Sequence, residues 1–122
     1  MKYLLDASAL IAACVSTHAD YAKTNAWLAG KEVVLCPIAE LALVRVGVLR
    51  YGLDMASVRK VLATFKAGKE FIPCDISAID GTISPSGGKS TDWYLGNLAV
   101  KHGMRWATLD TGANHPATEL IF

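Results

Sequence analysis

Four acidic side chains in this 122-residue chain stand where an α/β fold exposes groups able to do chemistry. Asp6 follows the apolar run Tyr3-Leu4-Leu5, and Asp110 follows Trp106-Ala107-Thr108-Leu109. Each run reads as a short buried strand, so each acid marks a strand's carboxyl end. If the two strands are parallel neighbours, both carboxylates emerge at one sheet edge, where open α/β sheets bind ligands. Glu40 lies just after a further run, Val33-Val34-Leu35-Cys36, and behind Pro37, which suits the opening turn of a helix. It is in phase with Leu43, Val44 and Gly47, which turns it toward the core side. Asp92 repeats the pattern in the first turn of another helix, in phase with Leu95 and Ala99.

An acid at a helix start favours the positive end of the helix dipole, and singly each of these residues reads as a cap. Four together, each at a strand end or helix start, point to a shared site. Carboxylates crowded at one site repel and raise one another's pKa, a conflict that a divalent cation removes. No suitable Cys or His set accompanies them, so the expected ion is hard and oxygen-liganded, Mg²⁺ or Mn²⁺. Such an ion keeps positions for water and substrate phosphates, an arrangement suited to phosphodiester hydrolysis. No serine, cysteine or histidine is set up as a covalent nucleophile. Ser8 reads either as a helix cap or as a polar group beside the ion. Gly87-Gly88-Lys89-Ser90-Thr91 matches the second half of a P-loop, but the glycine required five residues before Gly88 is Ile83 and no strand leads in. A P-loop is therefore rejected, and Lys89 remains as a phosphate contact on the rim.

The elements that must hold these residues follow from periodicity. Strands are expected at residues 3–5, 33–36, 71–74, 106–109 and 120–122, with helices after Asp6, Asp20, Pro37, Asp54 and Thr91. Strand alternating with helix predicts one domain over residues 1–122, a three-layer α/β/α sandwich around a mainly parallel sheet of four to five strands. Residues 75–90 form the longest irregular stretch, rich in Ser, Gly and Asp, with a helical turn expected near Ile76; long loops of this kind often carry function. His18 sits in a loop and reads as a capping residue. Basic residues on or near the other side of the fourth helix, Arg59, Lys60, Lys66 and Lys69, read as a solvated face rather than an RNA-binding one.

Composition narrows the class. Hydrophobic residues make up 52% of the chain, yet no apolar run reaches the roughly 18 residues of a membrane span. Met1-Lys2 leads into an early acid, so no secretory signal is expected and the expected location is cytoplasmic. The net charge of +1 neither requires nor excludes a nucleic-acid partner. Cys14, Cys36 and Cys74 are odd in number, far apart and set among apolar neighbours, which predicts reduced thiols and no zinc site.

Four segments carry a resemblance: LLDASALIA (4–12), CPIAELALVRV (36–46), STDWYLGNLAVKHG (90–103) and WATLD (106–110). In this order they resemble the PIN-domain family, and in particular the VapC-type toxins of bacterial toxin–antitoxin pairs; the NAWL segment (25–28) resembles that group's second helix. The resemblance implies a Mg²⁺- or Mn²⁺-dependent endoribonuclease with Asp6, Glu40, Asp92 and Asp110 as catalytic and metal-binding residues. It also implies RNA as substrate, a cognate antitoxin partner, a homodimer and no membrane. The position of Ser8 then implies support for the first aspartate, while Arg45, a turn beyond Glu40, would pair with an acid or contact RNA. The chain departs from the family pattern at the Gly/Ser-rich loop before Asp92, at Thr111-Gly112 where a basic residue is frequent, and at Asn114-His115-Pro116. The alternative from another class is a non-catalytic PIN-like module that binds protein or RNA. A phosphoacceptor receiver domain fits poorly, because one acid rather than two follows the first strand and Pro73-Cys74 follows the third.

Overall fold

The computed structural model describes residues 1–122. Five strands, β1 (Lys2–Leu5), β2 (Glu32–Leu35), β3 (Glu70–Phe71), β4 (Arg105–Thr108) and β5 (Thr118–Leu120), form one sheet in the order β3-β2-β1-β4-β5. Every pairing is parallel. A parallel sheet is covered on both faces, and the central strands are accordingly near-continuous apolar runs: Leu4, Leu5, Val34 and Leu35 are buried.

Five helices supply the cover: α1 (Ala7–Cys14), α2 (Tyr21–Leu28), α3 (Pro37–Leu49), α4 (Met55–Lys66) and α5 (Ser90–Lys101). The chain moves outward from β1 to β2 to β3, then crosses back to β4 and β5. Right-handed crossovers place helices of opposite travel on opposite faces. Consistently, α1 packs against α2, α3 and α4, whereas α5 rests on β4 and β1. Five of the eight residues of α1 are buried, as expected of a helix enclosed between sheet and neighbouring helices. No helix is long and apolar enough to cross a membrane.

The three-layer reading holds, with all five strands realised, and the boundaries differ for stated reasons. The third strand is Glu70–Phe71 rather than 71–74: Ile72 still donates to Leu35 O at 2.9 Å, but the next rung of the parallel ladder would run from residue 37 to Ile72 O, and Pro37 has no N–H to give. The last strand is Thr118–Leu120 and its final rung is Ile121 N to Thr108 O, 2.9 Å, leaving Phe122 outside. Between β3 and β4 the expected helical turn is a single turn closed by Asp80 N to Ser77 O. The residues that resembled a P-loop form a short 3-10 turn, Gly87–Lys89, that runs into α5.

Reversal of travel at β1 and β4 makes their junction the topological switch point of the sheet, the place where such folds open a crevice at the strands' carboxyl ends.

Candidate active site at the sheet switch point

Pairing between β1 and β4 runs one residue beyond β1, because Asp6 N donates to Ala107 O at 3.1 Å. That last rung sets Asp6 beside the end of β4. Asp6, rather than Ser8, caps α1: its Oδ1 accepts from Ala9 N at 2.9 Å. Ser8 lies within the helix and donates its hydroxyl to the same Oδ1 at 2.7 Å. The Ser8 oxygen in turn accepts from Leu109 N at 3.3 Å and lies 3.4 Å from Thr108 Oγ1. Thr108 Oγ1 accepts from Asp110 N at 3.0 Å. One hydrogen-bonded relay therefore joins the two strand-end aspartates through Ser8 and Thr108.

Burial pushes the Asp6 carboxyl up to about 6, against the hydrogen bonds from Thr108, Ala9 and Ser8 that favour its ionised form; the charge of Asp92 adds to the rise. The Asp92 carboxyl is also raised, first by burial and then by the charge of Asp110, with Lys89 opposing. Asp6, Asp92 and Asp110 thus share one field. Asp110 is exposed, and its Oδ1 accepts from Gly112 N at 2.9 Å. The turn thereby gives Asp110 a backbone amide rather than a basic side chain. None of the three acids forms an ion pair.

Glu40 rises at the same edge but is turned differently. Its Oε2 meets Lys66 Nζ of α4 at 2.7 Å, a charge contact without an aligned hydrogen bond. Lys66 also lies over the Phe71 ring, 4.4 Å from its centroid. Glu40 and Arg59 line a cleft of about 460 Å³ between α3 and α4. Lys66 is therefore not part of a plain solvated face. Arg45 is exposed and pairs with no acid, whereas Lys89 is exposed at the start of α5 and its charge reaches Asp92. His18 closes its own loop by accepting from Asp20 N at 3.0 Å.

The donor chemistry matches a hard cation. A buried carboxylate with only neutral hydrogen-bond donors sits in the field of Asp92, which itself feels Asp110, and no side-chain cation pairs with it. All three thiols are free, and burial pushes Cys14 up to about 12 and Cys36 up to about 11, so both stay protonated. As the side chains stand, no three His, Cys, Asp or Glu form a group that could hold an ion. Charge and donor type fit the ion, then, while the carboxylates are not gathered around a common point.

Sequence reasoning passed over three residues here. Thr108 is fully buried at a strand end, and a hydroxyl on the same strand face as buried Trp106 was the available signal. Asn97 and His115 form a second polar cluster: His115 is buried, its Nδ1 accepts from Ala117 N at 3.0 Å, and its Nε2 therefore carries the proton given to Asn97 Oδ1 at 2.9 Å. No sequence spacing links Asn97 to His115, since they meet only through the crossover.

No protein-family model matches the chain. It is similar to Ribonuclease VapC29 of Mycobacterium tuberculosis, 33% identical over 121 residues that cover 94% of this chain and 90% of the relative. It is also similar to Ribonuclease VapC44 of the same organism, 30% identical over 125 residues that cover 90% and 87%.

Proposed function

The chain belongs to the VapC ribonuclease family, and on that footing we propose that it is a metal-dependent endoribonuclease that hydrolyses RNA phosphodiester bonds as the toxin of a toxin–antitoxin pair. The observation that carries the catalytic part is Asp6: a carboxylate 3% exposed, held by Ser8 and Ala9, without a balancing cation, at the switch point of the sheet. In this reading Asp6, Asp92 and Asp110 hold Mg²⁺ or Mn²⁺. Glu40 is the fourth carboxylate, available to the same ion once Lys66 releases it. Bound there, a divalent ion polarises the scissile phosphate and lowers the pKa of an attacking water.

The chain's own groups prepare that chemistry. Ser8 and the Ala9 amide occupy Asp6 Oδ1 and fix the carboxylate plane. Thr108 and Gly112 orient Asp110 from its backbone and side chain respectively. Lys89, unpaired at the rim, is placed to take a backbone phosphate. A cognate antitoxin and a homodimeric state, with a cytoplasmic location, complete the proposal on family grounds.

The experiment is cleavage of total cellular RNA by purified protein with Mg²⁺ or Mn²⁺, with chelator, and as Asp6→Asn and Asp92→Asn. Metal-dependent fragments with mappable ends, lost in chelator and in both variants, are expected. Identical patterns in all conditions sink the catalytic claim. A module that binds without cutting would instead retain its partner in Asp92→Asn and show no metal-dependent ends.

A further inference from the structure

We propose that Cys36 and Cys74 are a disulfide-forming pair, a redox modification site that fastens the edge strand β3 to the sheet when a hydroperoxide oxidises it. The two thiols come from neighbouring strand ends. β2 and β3 pair in parallel, Val34 opposite Glu70 and Leu35 opposite Phe71, so Cys36 falls opposite Ile72. Alternation along an extended chain puts Cys74, two residues on, over the same face. Cys36 is fully buried, and Cys74 is half-buried against the same core. The Cys74 thiol lies within hydrogen-bonding reach of the Cys36 thiol and of the Tyr94 hydroxyl. Cys14, the third thiol, stands apart in a cavity lined by Tyr21, Asn25 and Lys60.

A disulfide asks two thiols to close to about 2.05 Å, which the backbone must allow. Here it does. The ladder ends at Ile72, and neither Pro73 nor Cys74 makes a backbone–backbone hydrogen bond. The next two residues are held to α5: Tyr94 Oη donates to Ile76 O at 2.8 Å, and Lys101 Nζ donates to Asp75 O at 3.0 Å. Cys74 is thus a free joint between β3 and an anchored segment, and it can approach Cys36 without breaking a rung. The strand it would secure is the weakest of the five. β3 is two residues long, exposed at both and outermost in the sheet. A Cys36–Cys74 bond fastens its far end covalently to β2 and, through Asp75 and Ile76, to α5.

The chemistry balances in two steps. Cys74, the more open sulfur, meets the oxidant. Its thiolate attacks the peroxide, an S–O bond forms as the O–O bond breaks, and the departing hydroxide takes a proton and leaves as water. Cys36 then gives up its proton and its sulfur attacks that of Cys74. The S–S bond forms, the S–O bond breaks, and the second oxygen also leaves as water. Two thiols lose two electrons and two protons, and the peroxide takes them. Burial pushes the Cys36 thiol up to about 11, so the pair rests reduced and closes only after Cys74 has been oxidised.

The test oxidises purified protein with hydrogen peroxide, alkylates the remaining thiols and maps a tryptic digest. The expected product is a single link between peptides 32–45 and 70–89, with Cys14 alkylated and the link undone by dithiothreitol. Oxidised protein should melt roughly 5 to 15 °C above reduced protein, the gain for closing a loop of this length in a chain of this size. Exchange of the Ile72 amide, which is bonded to Leu35 O, should slow on oxidation. Cys14→Ser should give the same link and the same gain. Cys74→Ser, at the half-buried partner, should give neither, and it carries the test if Cys36→Ala does not fold. A link through Cys14 or between two copies overturns the proposal, as does Cys74 carried to the sulfinic acid with Cys36 still free. So does a 36–74 link that leaves melting and exchange unchanged. The proposal does not draw on the ribonuclease reading, and its failure would leave that reading intact.

Discussion

Replacing Asp6 by Asn should make the metal-free protein more stable while abolishing cleavage. The Asp6 carboxyl is raised from 3.8 to about 6, chiefly by burial. A carboxyl raised in the folded state stabilises the fold only while it is protonated. That contribution is complete below 3.8 and is lost as pH rises through about 6. At pH 8 the ionised group therefore costs roughly 3 kcal/mol, taking about two pKa units at 1.36 kcal/mol each. Asn keeps the oxygen that accepts from Ser8 and Ala9 and carries no charge. Its amide must find an acceptor, for which the second lone pair of Thr108 Oγ1 is in place, so the expected net gain is nearer 2 kcal/mol. For a chain of this size that is a rise in melting temperature of about 8 °C.

The assay is thermal melting followed by circular dichroism, in chelator, at pH 4, 6 and 8 for both proteins. The gap should be widest at pH 8 and close to zero at pH 4, where the wild-type carboxyl is protonated in the fold. Saturating Mn²⁺ at pH 8 should raise the wild-type transition and leave that of Asp6→Asn in place, because an ion bound only by the folded state stabilises it by mass action. A variant no more stable than wild type at pH 8, or a gap independent of pH, refutes the desolvated-carboxylate argument.

Ser8→Ala should cost about 1–2 kcal/mol by denaturant unfolding, since it strips Asp6 of one donor and leaves Leu109 N without its partner; an unchanged midpoint would show the relay to be incidental. Gly96→Ala should destabilise by roughly 2 kcal/mol or more, because its Cβ would stand 2.6 Å from the His115 ring, and a neutral result would mean that the ring yields freely. Burial lowers the His115 pKa, so its contribution to stability is present above 6.5 and lost as pH falls below it. Asp6 acts with the opposite sign, so the effect is cleanest in the Asp6→Asn background, where the melting point should fall from pH 7 to pH 5 and His115→Gln should flatten the slope. Lys66→Met should tighten Mn²⁺ binding by calorimetry if Glu40 joins the ion when released, and Glu40→Gln should then undo the gain; equal affinities in all three place Glu40 outside the site.

The strands and the strand-end acids were legible because a parallel sheet buried on both faces writes short apolar runs into the chain, and Asp6 and Asp110 interrupt them. Helical phase also turned Asp92 correctly, and its carboxyl does feel Asp110. Phase left the surroundings of Glu40 unread. It gives a direction around one helix and says nothing of Lys66, which arrives from the far end of α4 and claims the carboxylate. Ser8 was ambiguous for a related reason: an Asp and a Ser two residues apart can each cap α1, and only the rung from Asp6 N to Ala107 O decides that Asp6 does so. Thr108 and the Asn97–His115 pair were unreadable, since their partners lie across the crossover.

Topology also explains why the charge conflict sits at this edge. Reversal of travel at β1 and β4 leaves two neighbouring strand ends without a shared crossover helix above them. The following segments differ: β1 runs into α1, whereas β4 runs into a turn closed by Ala113 N to Asp110 O. Two carboxylates are thereby set at the mouth of the gap, and α5, entering from the opposite face, brings a third by its first turn. Each is locally well placed, as a cap, a turn anchor or a helix-start acid. Their mutual repulsion arises only when the sheet closes, so it is relieved only by neutralising one of them, as Asp6→Asn does at the cost of the site, or by a counter-charge from outside the chain. On the proposed reading a divalent cation neutralises all three without occupying a position in the chain, and without it the conflict should be felt first as a pH-dependent weakening between β1 and β4.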